Sequence, residues 1–431
     1  MKLKNLWNLC RILLNRRITR TPITVFRELK EKNQSAQIRN RIARSFFSRF
    51  SLLRVLMKWI DGEALTRHEG QWIINTFIPP FPGPAYDRLF TALLSDRKWN
   101  PVSAYLAITL KCPARCGHCS IKRRKEEELA ASDWIRIIEE LRDLGTGIIG
   151  ITGGEPLVRP DLEDLIRSAH QGGASVMLFT SGIGLTEKRA HDLKKAGLWA
   201  LCVSLDRTDE NEIDALRGYP GAGRSAMNAL RFAKKAGLYT CVNCVADQDL
   251  VRGKIYRTLY EKAVELKADE FRLIEPMPCG NLLNSDPEIF LNKDQIAEIR
   301  KFHRDTNRKI MGFFSPKRTK VCSFNEIESP ELFGCAGGTR HLFIDPGGNV
   351  CPCDFTPLSF GNAMKEPLEI IWKRMSGALK HPRRHCMVQN QRELIQLAAR
   401  SEVPAPVHTS LQTVEQFPEE DLPDFLKWTE S

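Results

Sequence analysis

The stretch that decides the fold is Tyr105-Leu-Ala-Ile-Thr-Leu-Lys-Cys-Pro-Ala-Arg-Cys-Gly-His-Cys119, an apolar run that opens into three cysteines, Cys112, Cys116 and Cys119, spaced C-x-x-x-C-x-x-C. Thiolates hold iron–sulfur clusters and four of them saturate a four-iron cube, so three in one loop leave one iron open to another ligand. Structural zinc is the alternative. A closed zinc site needs four protein donors, and the nearest other candidate, His118, is flanked by two of the cysteines and strained as a ligand. A disulfide scaffold does not suit 13 Cys, an odd number, spread over 431 residues with no secretory leader expected. This usage reads as a reduced cytoplasmic protein.

Working outward, apolar β-branched runs alternate with helical patterns. The spacing predicts strands at 105–110, 147–152, 175–180, 199–205, 239–246 and 270–275, with helices at about 132–144, 161–170, 186–197, 211–234 and 252–266. Strand and helix in alternation mean βαβ units and a parallel sheet. Reactive groups of such barrels gather at the carboxyl ends of strands, where the distinctive residues of this chain fall. The second strand ends in Gly153-Gly154-Glu155-Pro156, with glycines that let bare backbone approach a ligand. The third ends in Thr180-Ser181-Gly182, and the fourth in Val203-Ser204-Leu205-Asp206, followed by Leu216-Arg217-Gly218. Alone, the GGEP tetrapeptide reads as a turn and Ser204 as a strand-end hydroxyl.

Taken together, the three-cysteine loop, the GGEP one βα unit later and the Ser-x-Asp and Arg-Gly elements resemble the radical S-adenosylmethionine (SAM) enzymes. The resemblance implies a partial (β/α)6 TIM-type barrel and a [4Fe–4S] cluster on Cys112, Cys116 and Cys119 whose open iron binds SAM. It also implies an electron from a reductant such as flavodoxin or ferredoxin, and cleavage of SAM to a 5′-deoxyadenosyl radical that takes hydrogen from a substrate. Gly153, Gly154 and Glu155 would hold the SAM amino group. Ser204 and Arg217 would hold its carboxylate, a task suited to a hydroxyl and a fork-shaped cation. Ser181 stands where the family usually has Asn, and His118 where it usually has an aromatic residue beside the adenine. Asn243 is expected to face the site. Cys241 and Cys244, three apart on a strand, point to opposite faces and read as core thiols; Cys279 falls at the barrel mouth. An iron–sulfur electron carrier is the non-enzymatic alternative, and it leaves GGEP, Ser204 and Arg217 without a task.

Further on, Cys335-Ala-Gly-Gly, the turn Asp345-Pro-Gly-Gly-Asn349, Cys351-Pro-Cys353 and Phe360-Gly-Asn362 resemble the iron–sulfur extension called SPASM, or its shorter form, twitch. Only Cys386 follows. The resemblance implies one auxiliary [4Fe–4S] cluster on Cys335, Cys353 and Cys386, with Cys351 or Cys322 as a candidate fourth ligand and zinc as the alternative occupant. It covers residues 104–390.

The rest is read from charge and proline. Residues 1–60 hold 15 Lys and Arg against two Glu, a local +13 in a chain of +12, so the remainder carries a formal −1. Interleaved with Leu, Trp and Phe, this arm reads as amphipathic helix suited to an anionic membrane surface, without a stretch long enough to span one. A helical domain packed on the core and a nucleic-acid contact are the other readings, and no nucleic-acid motif accompanies the charge. Phe77-Ile-Pro-Pro-Phe-Pro-Gly-Pro84 reads as an extended linker able to lie across a partner. The expected organisation is a basic helical region over 1–76, a linker over 77–103 and the barrel over 104–310. A small α+β auxiliary-cluster domain follows over 311–390, then a tail over 391–431. The arm and the proline strap point to a lipid or lipid-linked substrate, peripheral on the inner face of the membrane, ahead of a peptide.

Overall fold

The computed structural model describes residues 62–94, 100–124, 128–310 and 319–430. The basic arm, and with it the expected membrane contact, lies outside the described residues.

The six expected strands are β3 (Ser103–Ala107), β4 (Ile148–Thr152), β5 (Ser175–Thr180), β6 (Leu198–Ser204), β7 (Tyr239–Val245) and β8 (Glu270–Ile274), preceded by a small hairpin, β1 (Thr66–His68) and β2 (Gln71–Ile73). β3 stops before the expected Leu110. Beyond Ala107 the backbone N–H of Leu110 and the hydroxyl of Thr109 turn to the Glu128 carboxylate, at 2.8 and 2.6 Å, and the chain leaves the sheet. The sheet is wider than six strands. β9 (Lys320–Ser323) pairs in parallel with β8, and β10 (His341–Ile344), joined to β11 (Val350–Cys351) by the expected hairpin turn, pairs in parallel with β3. The order is β11-β10-β3-β4-β5-β6-β7-β8-β9, so the C-terminal extension is built onto the edge of the partial barrel.

The helices covering the sheet are α1 (Pro84–Leu94), α2 (Ala131–Asp143), α3 (Leu162–Gln171), α4 (Glu187–Ala196), α5 (Glu210–Arg217), α6 (Ala222–Lys235), α7 (Gln248–Arg252), α8 (Ile255–Glu265) and α9 (Lys293–Ile310). The helix expected at 211–234 is two. Gly218 and Gly221 take left-handed φ of 57° and 84°, and the Asp214 carboxylate receives the N–H groups of Gly221 and Gly223, so Arg217 ends a helix rather than lying inside one. The helix expected at 252–266 is α8, set off from α7 by Lys254 at φ 58°. Between sheet and helices lies one continuous core containing Trp134, Leu165, Leu201, Leu230 and Phe271.

Residues 62–76, the described part of the region expected to be helical, carry the β1–β2 hairpin instead. Ile73 is fully buried against Ile148, Met177, Trp199 and Tyr239 at the amino ends of the strands and plugs the floor of the barrel. Two interactions hold the plug. Lys320, whose ammonium burial pulls down to about 8, donates to the carbonyls of Ile73 and Ile74 at 3.0 and 2.9 Å. Thr76 N–H donates to Glu270 at 3.1 Å. The proline strap then runs into α1, with Pro84 at the first helical position, where its missing N–H is not needed.

The open edge at β9 is covered by α9. Buried Asn307 donates to the carbonyls of Val321 and Gly62 at 2.9 and 3.2 Å and accepts from Val321 N–H at 2.9 Å, replacing a neighbouring strand. Asn307→Leu keeps the volume and leaves these backbone groups unpaired, so it should destabilise the protein by about 2–3 kcal/mol in chemical denaturation. An unchanged midpoint would show that this edge needs no cover.

Candidate active site

The carboxyl ends of the barrel strands surround a cavity of about 410 Å³, and Cys112, Cys116, His118, Cys119, Gly153, Gly154, Ser181, Ser204, Arg217 and Asn243 all line it. The three thiols are free. Their loop is clamped from two sides. Arg115 N–H donates to Arg217 O at 2.6 Å; Asn281 donates from its backbone to Cys119 O at 3.0 Å and from its side chain to Cys116 O at 2.8 Å. Gly280 is obligatory there, because a Cβ would lie 2.1 Å from Cys119 O at a φ of +52°.

The two glycines of GGEP, which line the cavity, also have a structural cause. Gly154 N–H donates to Thr109 O at 2.7 Å and Glu155 N–H to Lys111 O at 2.8 Å, tying the end of β4 to the strand that leads into the cysteine loop. A Cβ on Gly153 would lie 2.5 Å from Thr109 O, and one on Gly154 2.3 Å from Lys111 O. The close approach is therefore to backbone. Glu155, buried, is absent from the cavity wall; it accepts from Thr180 Oγ1 at 2.6 Å, Ser181 N–H at 2.8 Å, Ser181 Oγ and Leu157 N–H at 3.1 Å. Burial pushes its carboxyl up while these donors pull against it. It joins the end of β4 to the end of β5.

On the opposite wall, Ser204 and Asn243 are register partners on β6 and β7. Arg217 donates from Nη1 to Cys116 Sγ at 3.5 Å and from Nη2 to the buried carboxylate of Asp206, which also accepts from Val245 N–H at 2.9 Å. Against the cost of burial, Arg217 and His118 hold Asp206 below the usual carboxylate range. Burial lowers the His118 ring, favouring its neutral form. Asp206, written in the Ser-x-Asp element itself, is the partner that positions the arginine. Two buried polar atoms on this wall, Arg217 Nε and Asn243 Oδ1, have no partner, as expected of groups that await a ligand. With three free thiols on one side and these atoms on the other, the residues fit a cluster and SAM.

The β8 side carries residues that sequence reasoning missed. Arg272, fully buried, lies on the cavity floor under the Phe77 ring at 4.6 Å. Glu275 follows β8; side-chain amides of Gln389 and Asn325 bond its carboxyl, its Oε2 has no partner, and burial pushes it up to about 7. Cys279 is buried, and burial raises its thiol. Cys241 faces Cys202 across β7 and β6 inside the barrel, while Cys244 belongs to the helix-side core.

In the extension, Cys335 exchanges backbone hydrogen bonds with Arg383 at 2.8 and 3.1 Å, which brings up Cys386; Gly338 N–H donates to Pro352 O at 3.0 Å, which brings up Cys353. A thiol hydrogen bond from Cys386 holds Cys335 down to about 7. The structure does not bring Cys351 or Cys322 to them. Cys351 packs with Ala107, Ile121 and Phe343, and its sulfur accepts from Arg124 at 3.5 Å. Cys322 is on β9 near Glu270 and Lys320. Among the described residues no three His, Cys, Asp or Glu side chains are grouped closely enough to hold a single metal ion. Asp354 and Phe355, which follow Cys353, reach the same cavity as the first three cysteines.

This fold and site are those of an iron–sulfur barrel that binds SAM. The chain matches the radical SAM superfamily over residues 106–248 and the SPASM iron–sulfur cluster-binding domain over residues 335–393. It is 33% identical over 303 residues to a PqqA peptide cyclase of Streptomyces rochei, covering 66% of this chain and 81% of that one. The chain belongs to the radical SAM superfamily, and its cofactors are SAM and [4Fe–4S] clusters. In fold it is similar to Streptococcus suis SuiB bound to SAM, with a TM-score of 0.54 at 18% identity over 65% of this chain and 68% of that one. SuiB bound to its precursor peptide SuiA gives 0.54 at 17% identity, over 80% and 81%.

Arg217→Lys keeps the charge and loses the fork that serves Asp206 and Cys116 together, so SAM should bind about tenfold more weakly, with iron content unchanged. Calorimetric titration of the reconstituted protein checks this; equal affinity would remove Arg217 from the SAM site. For Glu275, the folded protein keeps a proton that the unfolded chain has released between its ordinary 4.5 and about 7, so stability falls as pH rises through that window. Relative to the parent, Glu275→Gln should gain up to about 3 kcal/mol more at about pH 8 than at about pH 5. An advantage independent of pH would contradict the raised carboxyl.

Proposed function

We propose that this enzyme modifies a peptide or protein substrate held in the cavity between its two cysteine groups. The observation that carries the reading is the shared cavity. Cys112, Cys116 and Cys119 line one side of it, and the residues following Cys353 line another. A third of the residues over most of the chain are shared with a cyclase whose name gives a peptide, PqqA, as its substrate. The expected preference for a lipid rested on the basic arm and the proline strap. Of the strap, Phe81 packs with Ile74 and Tyr86 and Phe77 lines the cavity, and no helix among the described residues is long and apolar enough to cross a membrane. Lipid therefore gives way to peptide, and a peripheral membrane contact through residues 1–60 stays a separate proposal resting on charge.

Cys112, Cys116 and Cys119 would hold the cluster with one iron open, and its chemistry is to supply SAM with the electron that releases a 5′-deoxyadenosyl radical able to take hydrogen from an unactivated carbon. The protein's own task is binding and orientation. Asp206 sets Arg217 toward the SAM carboxylate, with Ser204 and Asn243 beside it. Glu155 keeps the ends of β4 and β5 in register. Phe77, Phe179, Phe324 and Phe355 give the cavity apolar walls that exclude water, and the free oxygen of Glu275 is placed to accept a hydrogen bond from substrate. Asp354 and Phe355 place the substrate within reach of the auxiliary site.

The test uses cells expressing this chain, grown in deuterated medium. Their peptide and lipid fractions are incubated separately, without oxygen, with unlabelled enzyme, SAM and a reductant. Deuterium should enter 5′-deoxyadenosine with the peptide fraction. Deuterium only with the lipid fraction would overturn the peptide reading, and no 5′-deoxyadenosine under any condition would return the electron carrier.

A further inference from the structure

Three thiols complete three corners of a four-iron cube, and among the described residues no further cysteine is brought to the fourth corner of the auxiliary site. The chain leading into Cys335 supplies another donor. A short helix, Phe324–Ile327, is capped at its C-terminus by Glu328. Phe333 N–H then donates to Ile327 O at 3.3 Å and Gly334 N–H to Ser329 O at 3.1 Å, closing residues 328–334 into a turn that returns Cys335 to the side of Glu328. The Glu328 carboxylate is half-buried. Its charged neighbours are Cys335, Asp354 and Glu275, and Cys386 has it as a neighbour in turn. None of these is a cation.

That environment is anomalous within this molecule. Asp206 has Arg217, Asp345 has Arg124 at 2.8 Å, and Glu155 has the donors of Thr180 and Ser181. Glu328 has no hydrogen-bond donor to its carboxylate among the described residues, although thiols and carboxyls surround it. A half-buried carboxylate among other acids takes up a proton or is stabilised by a positive centre beside it. Iron is such a centre and accepts carboxylate oxygen. A cube presents four separate irons, each needing one donor.

We propose that Glu328 is the fourth, non-cysteine ligand of the auxiliary cluster, its carboxylate closing the iron that Cys335, Cys353 and Cys386 leave open. This rests on the auxiliary-cluster reading, and the test separates the two. The full chain with Cys112, Cys116 and Cys119 all replaced by Ala isolates the auxiliary site, and after anaerobic reconstitution it should hold about four irons. In that background Glu328→Cys should keep the iron and change the EPR spectrum of the reduced cluster, because thiolate replaces carboxylate at one iron. Glu328→Ala should lose about one iron in four and give the signal of a three-iron cluster on oxidation. Glu328→Gln, which preserves shape, guards against a folding defect and should behave as Ala. Iron content and EPR spectra identical in all three variants and the background would overturn the assignment of Glu328 alone. A background protein holding no cluster would overturn the auxiliary site and the ligand together.

Discussion

Everything at the carboxyl end of the barrel depends on how closely the end of β4 approaches the strand leading into the cysteine loop. Two backbone hydrogen bonds, Gly154 N–H to Thr109 O and Glu155 N–H to Lys111 O, fix that approach, and no side chain fits at Gly153 or Gly154. From this contact the loop of Cys112, Cys116 and Cys119 takes its height above the sheet. Glu155 carries the constraint to β5 through Thr180 and Ser181, and Arg115 carries it to α5 through Arg217 O. A substitution at Gly154 is thus expected to move the thiols as well as disturb a ligand contact.

A second constraint joins the two cysteine groups. Arg124, just after the first group, is fully buried against Asp345 at the turn of the C-terminal hairpin and lies over the Phe343 ring at 5.0 Å. A buried ion pair contributes little net stability, because desolvation offsets attraction; it penalises arrangements in which either charge lacks its partner. With β10 paired to β3, it fixes the extension on the barrel, so Asp354 and Phe355 enter the cavity. Cys351 belongs to this joint and not to the auxiliary thiols.

The parallel sheet was legible because β3–β8 are largely buried apolar runs separated by helical periodicity. β9 and α9 were not legible, since the edge of the sheet is closed by polar Asn307 rather than by an apolar pattern. The break between α5 and α6 was written in Gly218 and Gly221, yet only their left-handed φ shows that Arg217 ends a helix. At the site, thiol spacing and strand-end motifs located most of the cavity wall. Arg124, Glu275 and Glu328 escaped because each acts with partners distant in sequence, whereas Asp206 stood in the Ser-x-Asp element and only its ion pair with Arg217 shows its task.

The central claim is two separate iron–sulfur sites, of which only the one on Cys112, Cys116 and Cys119 cleaves SAM. Its most direct test is to replace Cys335, Cys353 and Cys386 together by Ala and measure iron, zinc and SAM cleavage after anaerobic reconstitution. The account predicts about eight irons per chain in the parent and about four in the variant, with 5′-deoxyadenosine still formed by both. A parent holding about four irons with zinc in the second site, or a variant that keeps the parent's full iron, would contradict it.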